Sequence, residues 1–191
     1  MLPINAVMAA QQLLLPCLAS ARVVLDATAG NGKDTLFLAR HTPPEAIVWS
    51  FDIQPTAIEN TRKLLNDAGL LAKVRLILDS HDRINTYINQ PLDAAMFNLG
   101  YLPSGERTIV TQPKTTISAV DQTANLLNPG ALMTIVAYPG HCSGKEENQA
   151  LMCLLAALPQ QVYSVLSWKM LNQVNKPPLL YAVEKRRKLT R

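Results

Sequence analysis

The stretch from 23 to 35 constrains the fold more than any other: Val23-Val24-Leu25-Asp26-Ala27-Thr28-Ala29-Gly30-Asn31-Gly32-Lys33-Asp34-Thr35. A short aliphatic run closes on Asp26, turns through Gly30 and Gly32, and meets helix-compatible Leu36, Phe37, Leu38, Ala39 and Arg40. It reads as a strand, a glycine turn and a helix. Glycine tolerates positive φ and lets a ligand come close to the backbone. The first turn of the following helix then offers free amide groups to that ligand.

The residues of the turn narrow the ligand. A phosphate-cradling loop needs glycine where Ala27 stands and Ser or Thr where Asp34 stands, and both positions fail. The dinucleotide fingerprint fits in part, because its third glycine falls on Thr35. Asp34 near the mouth favours a ligand with positive charge, and S-adenosylmethionine, with its sulfonium and ammonium groups, is one. An ordinary β-to-α turn without a ligand gives the same glycine pair.

The rest of the chain alternates as a parallel sheet covered by helices requires. After the first strand and helix, Ile47–Asp52 reads as a second strand. Pro55 opens a helix over 55–68, with Gly69 as its stop. Strands are expected at 73–78 and 92–97, the latter ending at Asn98. A polar loop of about sixteen residues, long enough to be functional, leads to a helix over 115–127. A turn at Asn128-Pro129-Gly130, a strand over 131–137 and a helix over 145–158 follow. The strand-like segments 162–171 and 179–184 are joined by too few residues for a helical crossover, so they pair antiparallel. The expected fold is α/β: a mostly parallel seven-stranded sheet with a C-terminal antiparallel hairpin and helices on both faces, the architecture of the Rossmann-like class I methyltransferases. With no internal repeat or low-complexity linker, residues 1–191 are expected to form one domain, with an N-terminal helix in 1–20.

Composition limits the function classes. At 191 residues and 48% hydrophobic content the chain can bury a substantial core. No apolar run reaches the roughly 18 residues that span a bilayer. The apolar first twenty residues lack a basic start and contain Pro16, so a packing helix and a cytoplasmic location are expected rather than a signal peptide. Cys17, Cys142 and Cys153 form neither a disulfide framework nor a zinc motif, and no metal is expected. The net charge of +4 is concentrated in 185–191, which holds five of the 18 basic residues and leaves 13 basic against 14 acidic elsewhere. Such a tail can attract a nucleic-acid backbone or simply be solvated.

Functional residues should gather beyond the carboxyl ends of the strands, where the crevice of such a sheet opens. Asp52 lies 22 positions after Gly30 and can accept both hydroxyls of a ribose, with Ile53 and Gln54 beside it. Ser80 and His81 follow the third strand; Ser80 can instead cap a helical turn, and His81 can be a stacking surface or an exposed loop residue. Asn98-Leu99-Gly100-Tyr101 follows the fourth strand, where an Asn carbonyl can orient the hydrogens of a nitrogen nucleophile. Tyr138-Pro139-Gly140-His141 follows the fifth. His141, with an ordinary pKa of about 6.5, can take a proton from an ammonium. Ser143 and Glu146 have the spacing of a capping box.

In this order these segments, with Leu102 and Pro103 extending the fourth-strand motif, resemble the tRNA 5-aminomethyl-2-thiouridine methyltransferase family, whose members long carried an rRNA-methylase label. The resemblance covers nearly the whole chain. It implies a class I fold and transfer of methyl from S-adenosylmethionine to the exocyclic amine of 5-aminomethyl-2-thiouridine at the tRNA anticodon wobble position. By position it implies that Asp26, Gly30, Asn31, Gly32, Asp34, Thr35, Asp52, Gln54, Ser80 and His81 serve the cofactor. Asn98, Tyr138 and His141 become the catalytic candidates and Tyr101 a substrate contact. Lys33 stands where the family more often has histidine. Arg107 and Lys114 can contact phosphate or be ordinary exposed residues. The expected partner is tRNA, with a homodimer compatible and no membrane. Alternatives are a methyltransferase for rRNA, another RNA or a small molecule, an NAD-dependent oxidoreductase, and a non-catalytic RNA-binding module.

Overall fold

A computed structural model describes residues 3–100, 111–140 and 142–186. Tyr101, Arg107, His141 and residues 187–191 lie outside it. Helix α1 (Ala6–Leu18) is capped by Asn5, whose side-chain oxygen accepts the Met8 N–H at 2.8 Å. There follow β1 (Val23–Asp26), α2 (Lys33–His41), β2 (Ile47–Asp52), α3 (Pro55–Asp67), β3 (Val74–Leu78), α4 (Ile84–Tyr87) and β4 (Leu92–Asn98). The second half holds α5 (Pro113–Leu126), β5 (Leu127–Ala137), α6 (Cys142–Ala157), β6 (Tyr163–Trp168) and β7 (Leu179–Lys185).

The strands form one sheet in the order β3-β2-β1-β4-β5-β7-β6. Strands β1 to β5 are mutually parallel, and β7 runs antiparallel between β5 and β6. Alternate residues of the central strands serve opposite faces, as the period of two requires. Leu25, Ala95 and Phe97 join a core with Ala119 and Val120 of α5 and Leu151 and Leu155 of α6. Val24, Ala94 and Met96 join a second core with Ala10 and Leu14 of α1, Leu38 of α2 and Leu65 of α3. The expected doubly covered sheet is therefore observed. None of the described helices is long and apolar enough to cross a membrane.

Several local expectations are corrected by tertiary contacts. Lys73 ends a short 3-10 turn instead of starting β3, and its Nζ donates to the carbonyls of Ala39, Thr42 and Pro43 at 3.1, 3.0 and 2.6 Å. The Asn128-Pro129-Gly130 turn is absorbed into β5, whose pairing with β4 shifts register between Leu92 and Ala94. Helix α6 begins at Cys142, so Ser143 is inside it and forms no capping box. Ser80 does precede a 3-10 turn, but its side chain makes no cap hydrogen bond. Lys185 is part of β7 rather than of a solvated tail: its Nζ donates to the carbonyls of Ala124 and Asn125 at 3.4 and 2.8 Å, near the end of α5.

The fold sets the site through one reversal. The chain builds outward from β1 to β3, then returns to add β4 on the other side of β1, which opens a crevice between the carboxyl ends of β1 and β4. The glycine turn fills its mouth. Gly32 has φ +81° and a Cβ there would lie 2.9 Å from the Thr61 Cα of α3, so both backbone conformation and packing require glycine. Gly32→Ala is expected to lower the unfolding free energy by about 1–3 kcal/mol, measured by urea unfolding.

Candidate active site

At the end of β1 the carboxyl of Asp26 is fully buried. One of its oxygens accepts the Thr28 N–H at 3.0 Å and the other the Thr35 hydroxyl at 2.6 Å. Thr35 also meets the Ser50 hydroxyl of β2 at 2.9 Å. The Thr28 hydroxyl oxygen accepts the Asn98 N–H of β4 at 2.8 Å. Three strand ends and the start of α2 are thus joined beneath the turn. Burial first, then the nearby Asp34 charge, pushes the Asp26 pKa up to about 7 against the opposing hydrogen bonds.

Above this layer lies a cavity of about 860 Å³. One wall is formed by the glycine turn with Gly30, Asn31, Lys33 and Asp34, by Asp52 and Gln54 after β2, and by Asp79, Ser80 and His81 after β3. The other is formed by Asn98 and Gly100, by Thr111, Gln112 and Thr115 at the start of α5, by Tyr138, and by Ser143, Gly144 and Glu147 of α6. Asp26, Gly32 and Thr35 do not reach the cavity surface and underlie the turn instead. Lys114 is exposed on α5 and is not among the lining residues.

Each wall has its own chemistry. The Asp52 carboxylate accepts the Gly30 N–H and the Gln54 N–H, each at 2.9 Å and each on a different oxygen. Both oxygens keep acceptor capacity for a vicinal diol, and their direction is fixed by backbone. His81 is buried, with Nδ1 3.3 Å from the Ala27 carbonyl, so Nδ1 carries the proton in the neutral ring. Burial lowers its pKa and favours that neutral form. Its Nε2 has no hydrogen-bond partner among the described residues.

A hydrogen-bonded run connects the walls. Asp34 accepts the Gln11 amide of α1 at 2.9 Å on one oxygen and the Asn98 amide at 3.2 Å on the other. The Asn98 carbonyl accepts the Tyr138 hydroxyl at 2.9 Å. Only this amide orientation gives both neighbours a complementary partner. Asp34 forms no ion pair among the described residues and lines the cavity. Burial, and then the Asp34 charge, raises the Tyr138 pKa and keeps the phenol a donor.

Gln11 and Thr111 carry no motif that sequence reasoning could single out. Glu147 is buried, and its two oxygens accept the Thr116 and Thr111 hydroxyls at 2.6 and 2.9 Å. Thr111 also accepts the Gly100 N–H at 3.0 Å, and its own N–H donates to the Gly100 carbonyl at 3.0 Å. Gly144 likewise gains its meaning only from the fold: a Cβ there would collide with the Tyr138 carbonyl oxygen, so this glycine lets α6 close on the end of β5. The spacing of Ser143, Gly144 and Glu147 on one helical face is the available signal.

Comparison with known proteins joins this geometry to a family. The family model described as "Putative rRNA methylase" matches residues 48–184. The chain belongs to that family. It is 35% identical over 168 residues to the chloroplastic tRNA (mnm(5)s(2)U34)-methyltransferase of Arabidopsis thaliana, a match covering 83% of this chain and 61% of the relative, so it spans less than two thirds of that protein. A "putative rRNA-methylase" structure from Clostridium thermocellum is 39% identical with a TM-score of 0.94, covering 97% of this chain and 100% of that one. A Streptococcus mutans methyltransferase solved in complex with SAH is 37% identical with a TM-score of 0.88, covering 97% and 99% of the two chains.

The buried Asp26 makes stability depend on pH. Its folded pKa of about 7 exceeds the ordinary 3.8, so the native state binds the extra proton and this contribution is lost as pH rises through about 7. Urea midpoints of the native protein should carry a falling component between about pH 4 and pH 7.5, and Asp26→Asn should remove it.

Proposed function

We propose that this protein methylates the exocyclic amine of 5-aminomethyl-2-thiouridine at the tRNA wobble position, using S-adenosylmethionine, in the cytoplasm. The observation that carries the reading is the run Asp34, Asn98, Tyr138, which brings a nucleotide-type wall and an amine-orienting carbonyl into one cavity. Support also comes from the family, from the activity named for the Arabidopsis relative, and from the SAH complex of the Streptococcus mutans neighbour.

The donor set suits the cofactor. Asp52, held by two backbone amides, would accept the ribose hydroxyls, and Gln54, Ser80 and His81 would border the adenine. Gly30, Asn31 and the uncompensated Asp34 carboxylate take the positively charged amino-acid portion, while Asp26, Gly32 and Thr35 hold the turn in place from below. When bound, S-adenosylmethionine supplies a methyl group on positively charged sulfur to the lone pair of a neutral amine.

Asn98 and Tyr138 prepare that amine. The Asn98 carbonyl uses one lone pair on Tyr138 and retains another for an amine N–H, which fixes the direction of the nitrogen lone pair. Tyr138 orients the amide as a hydrogen-bond donor. An alkylammonium has a pKa of about 10, so a partly desolvated site is needed to favour the neutral nucleophile. His141 is the proposed proton acceptor, and Tyr101, Arg107 and Lys114 are proposed RNA contacts.

Mass spectrometry of tRNA nucleosides from cells lacking the protein is the direct test: 5-methylaminomethyl-2-thiouridine should disappear. Its persistence with no redundant enzyme overturns the assignment. In vitro, Asn98→Ala should slow single-turnover methylation by roughly 10²-fold while retaining SAH affinity in calorimetry. Asp52→Ala should weaken SAH by about tenfold or more.

A further inference from the structure

We propose that Glu147 binds the ammonium form of the nucleobase aminomethyl group and so sets the preference for an amine-bearing wobble base, an inference that rests on the function proposed above. Ser143, Gly144 and Glu147 line the cavity together, and the step from 143 to 147 is about one helical turn. Glu147 is only 4% exposed yet forms part of the cavity lining. Its carboxylate is therefore a buried group that still borders the cavity.

Among the described residues that charge has no cationic partner. Thr116 and Thr111 each donate to one oxygen, which uses about two of the roughly four acceptor sites of a carboxylate. Among the described residues Glu147 forms no ion pair. Lys33, the one lysine or arginine lining the cavity among those residues, belongs to the glycine turn on the other wall. Joining two threonine hydroxyls needs only a neutral acceptor, and burying a charge for that purpose is much the costlier solution. A cation in the cavity accounts for the charge.

Location identifies which cation. Glu147 is tied through Thr111 to Gly100, two residues beyond Asn98, and so belongs to the wall that orients the nucleophile. Asp34 already supplies a carboxylate to the opposite wall, where the amino-acid portion of the cofactor lies in the proposed reading. An unmodified 2-thiouridine offers no cation, whereas an aminomethyl group, with a pKa of about 10, arrives as ammonium. Glu147 recognises that form on arrival; a carboxylate is too weak a base to complete its deprotonation, which falls to another group.

The test uses SAH-bound full-length protein and anticodon stem-loops carrying either 5-aminomethyl-2-thiouridine or 2-thiouridine at the wobble position. Wild type should prefer the amine-bearing RNA by about tenfold or more, and Glu147→Gln should abolish the preference by weakening that RNA alone, with SAH affinity unchanged. Retention of the preference overturns the proposal. Equal weakening of both RNAs overturns it in favour of a structural link between Thr111 and Thr116. Weaker SAH binding with the preference intact assigns Glu147 to the cofactor ammonium and also overturns it. In a parallel assay with S-adenosylmethionine in place of SAH, failure of wild type to methylate the amine-bearing RNA rejects the proposed function itself, whereas methylation by wild type together with an unchanged binding preference in Glu147→Gln rejects only the role of Glu147.

Discussion

The carboxyl of Asp26 has no access to water, and the geometry of the whole site follows from how it is satisfied. A buried carboxyl without partners is strongly unfavourable, so its acceptors must be met from the chain itself. The Thr28 N–H curls the turn back over the end of β1, and the Thr35 hydroxyl draws the first turn of α2 down onto the same group. Ser50 and Asn98 extend the network to the strands on either side. Glycine permits the path of the turn, but this hydroxyl and carboxyl layer fixes its height above the sheet.

Fixing the turn also fixes the charge at its open side. Asp34, next to the Thr35 that Asp26 anchors in the first turn of α2, is held by Gln11 from one direction and by Asn98 from the other. Both donors are neutral, so they orient the carboxylate without cancelling its charge. The same charge helps keep Tyr138 protonated, and a protonated Tyr138 holds the Asn98 amide in the orientation that donates to Asp34. The three side chains come from α2, β4 and the residue after β5, yet each restricts the state of the next.

Much of this is legible in local sequence patterns. The boundaries of β2 and the start of α3 follow from an apolar run closing on Asp52 and a proline at the first helical position. Gly30, Asn31, Asp34, Asp52, Asn98 and Tyr138 are expected at the cavity because each stands at the carboxyl end of a strand or in the turn after it. What local pattern does not supply is partnership across sequence distance. Gln11 reads as one more polar position on an apolar helix until α1 is seen packed across the sheet with that residue over Asp34. Glu147 reads as a solvated helix residue, because Thr111 and Thr116 lie more than thirty positions away. Lys185 reads as a tail cation because charge counting ignores that β7 carries it beside the Ala124 and Asn125 carbonyls at the end of α5.

Those distant partnerships place an oriented carboxylate on each wall of the cavity. The wall from the first half of the chain carries Asp34 and Asp52, each oriented by backbone or amide donors. The wall from the second half carries Glu147, oriented by two hydroxyls on α5 and the segment before it. Gly100 and Thr111 are clasped by two hydrogen bonds beside Glu147. A change in the position of that clasp must move the Thr111 hydroxyl and, through it, one oxygen of the buried carboxylate. Gly100, Thr111 and Glu147 are therefore one hydrogen-bonded unit on this wall, and none of the three can be repositioned alone.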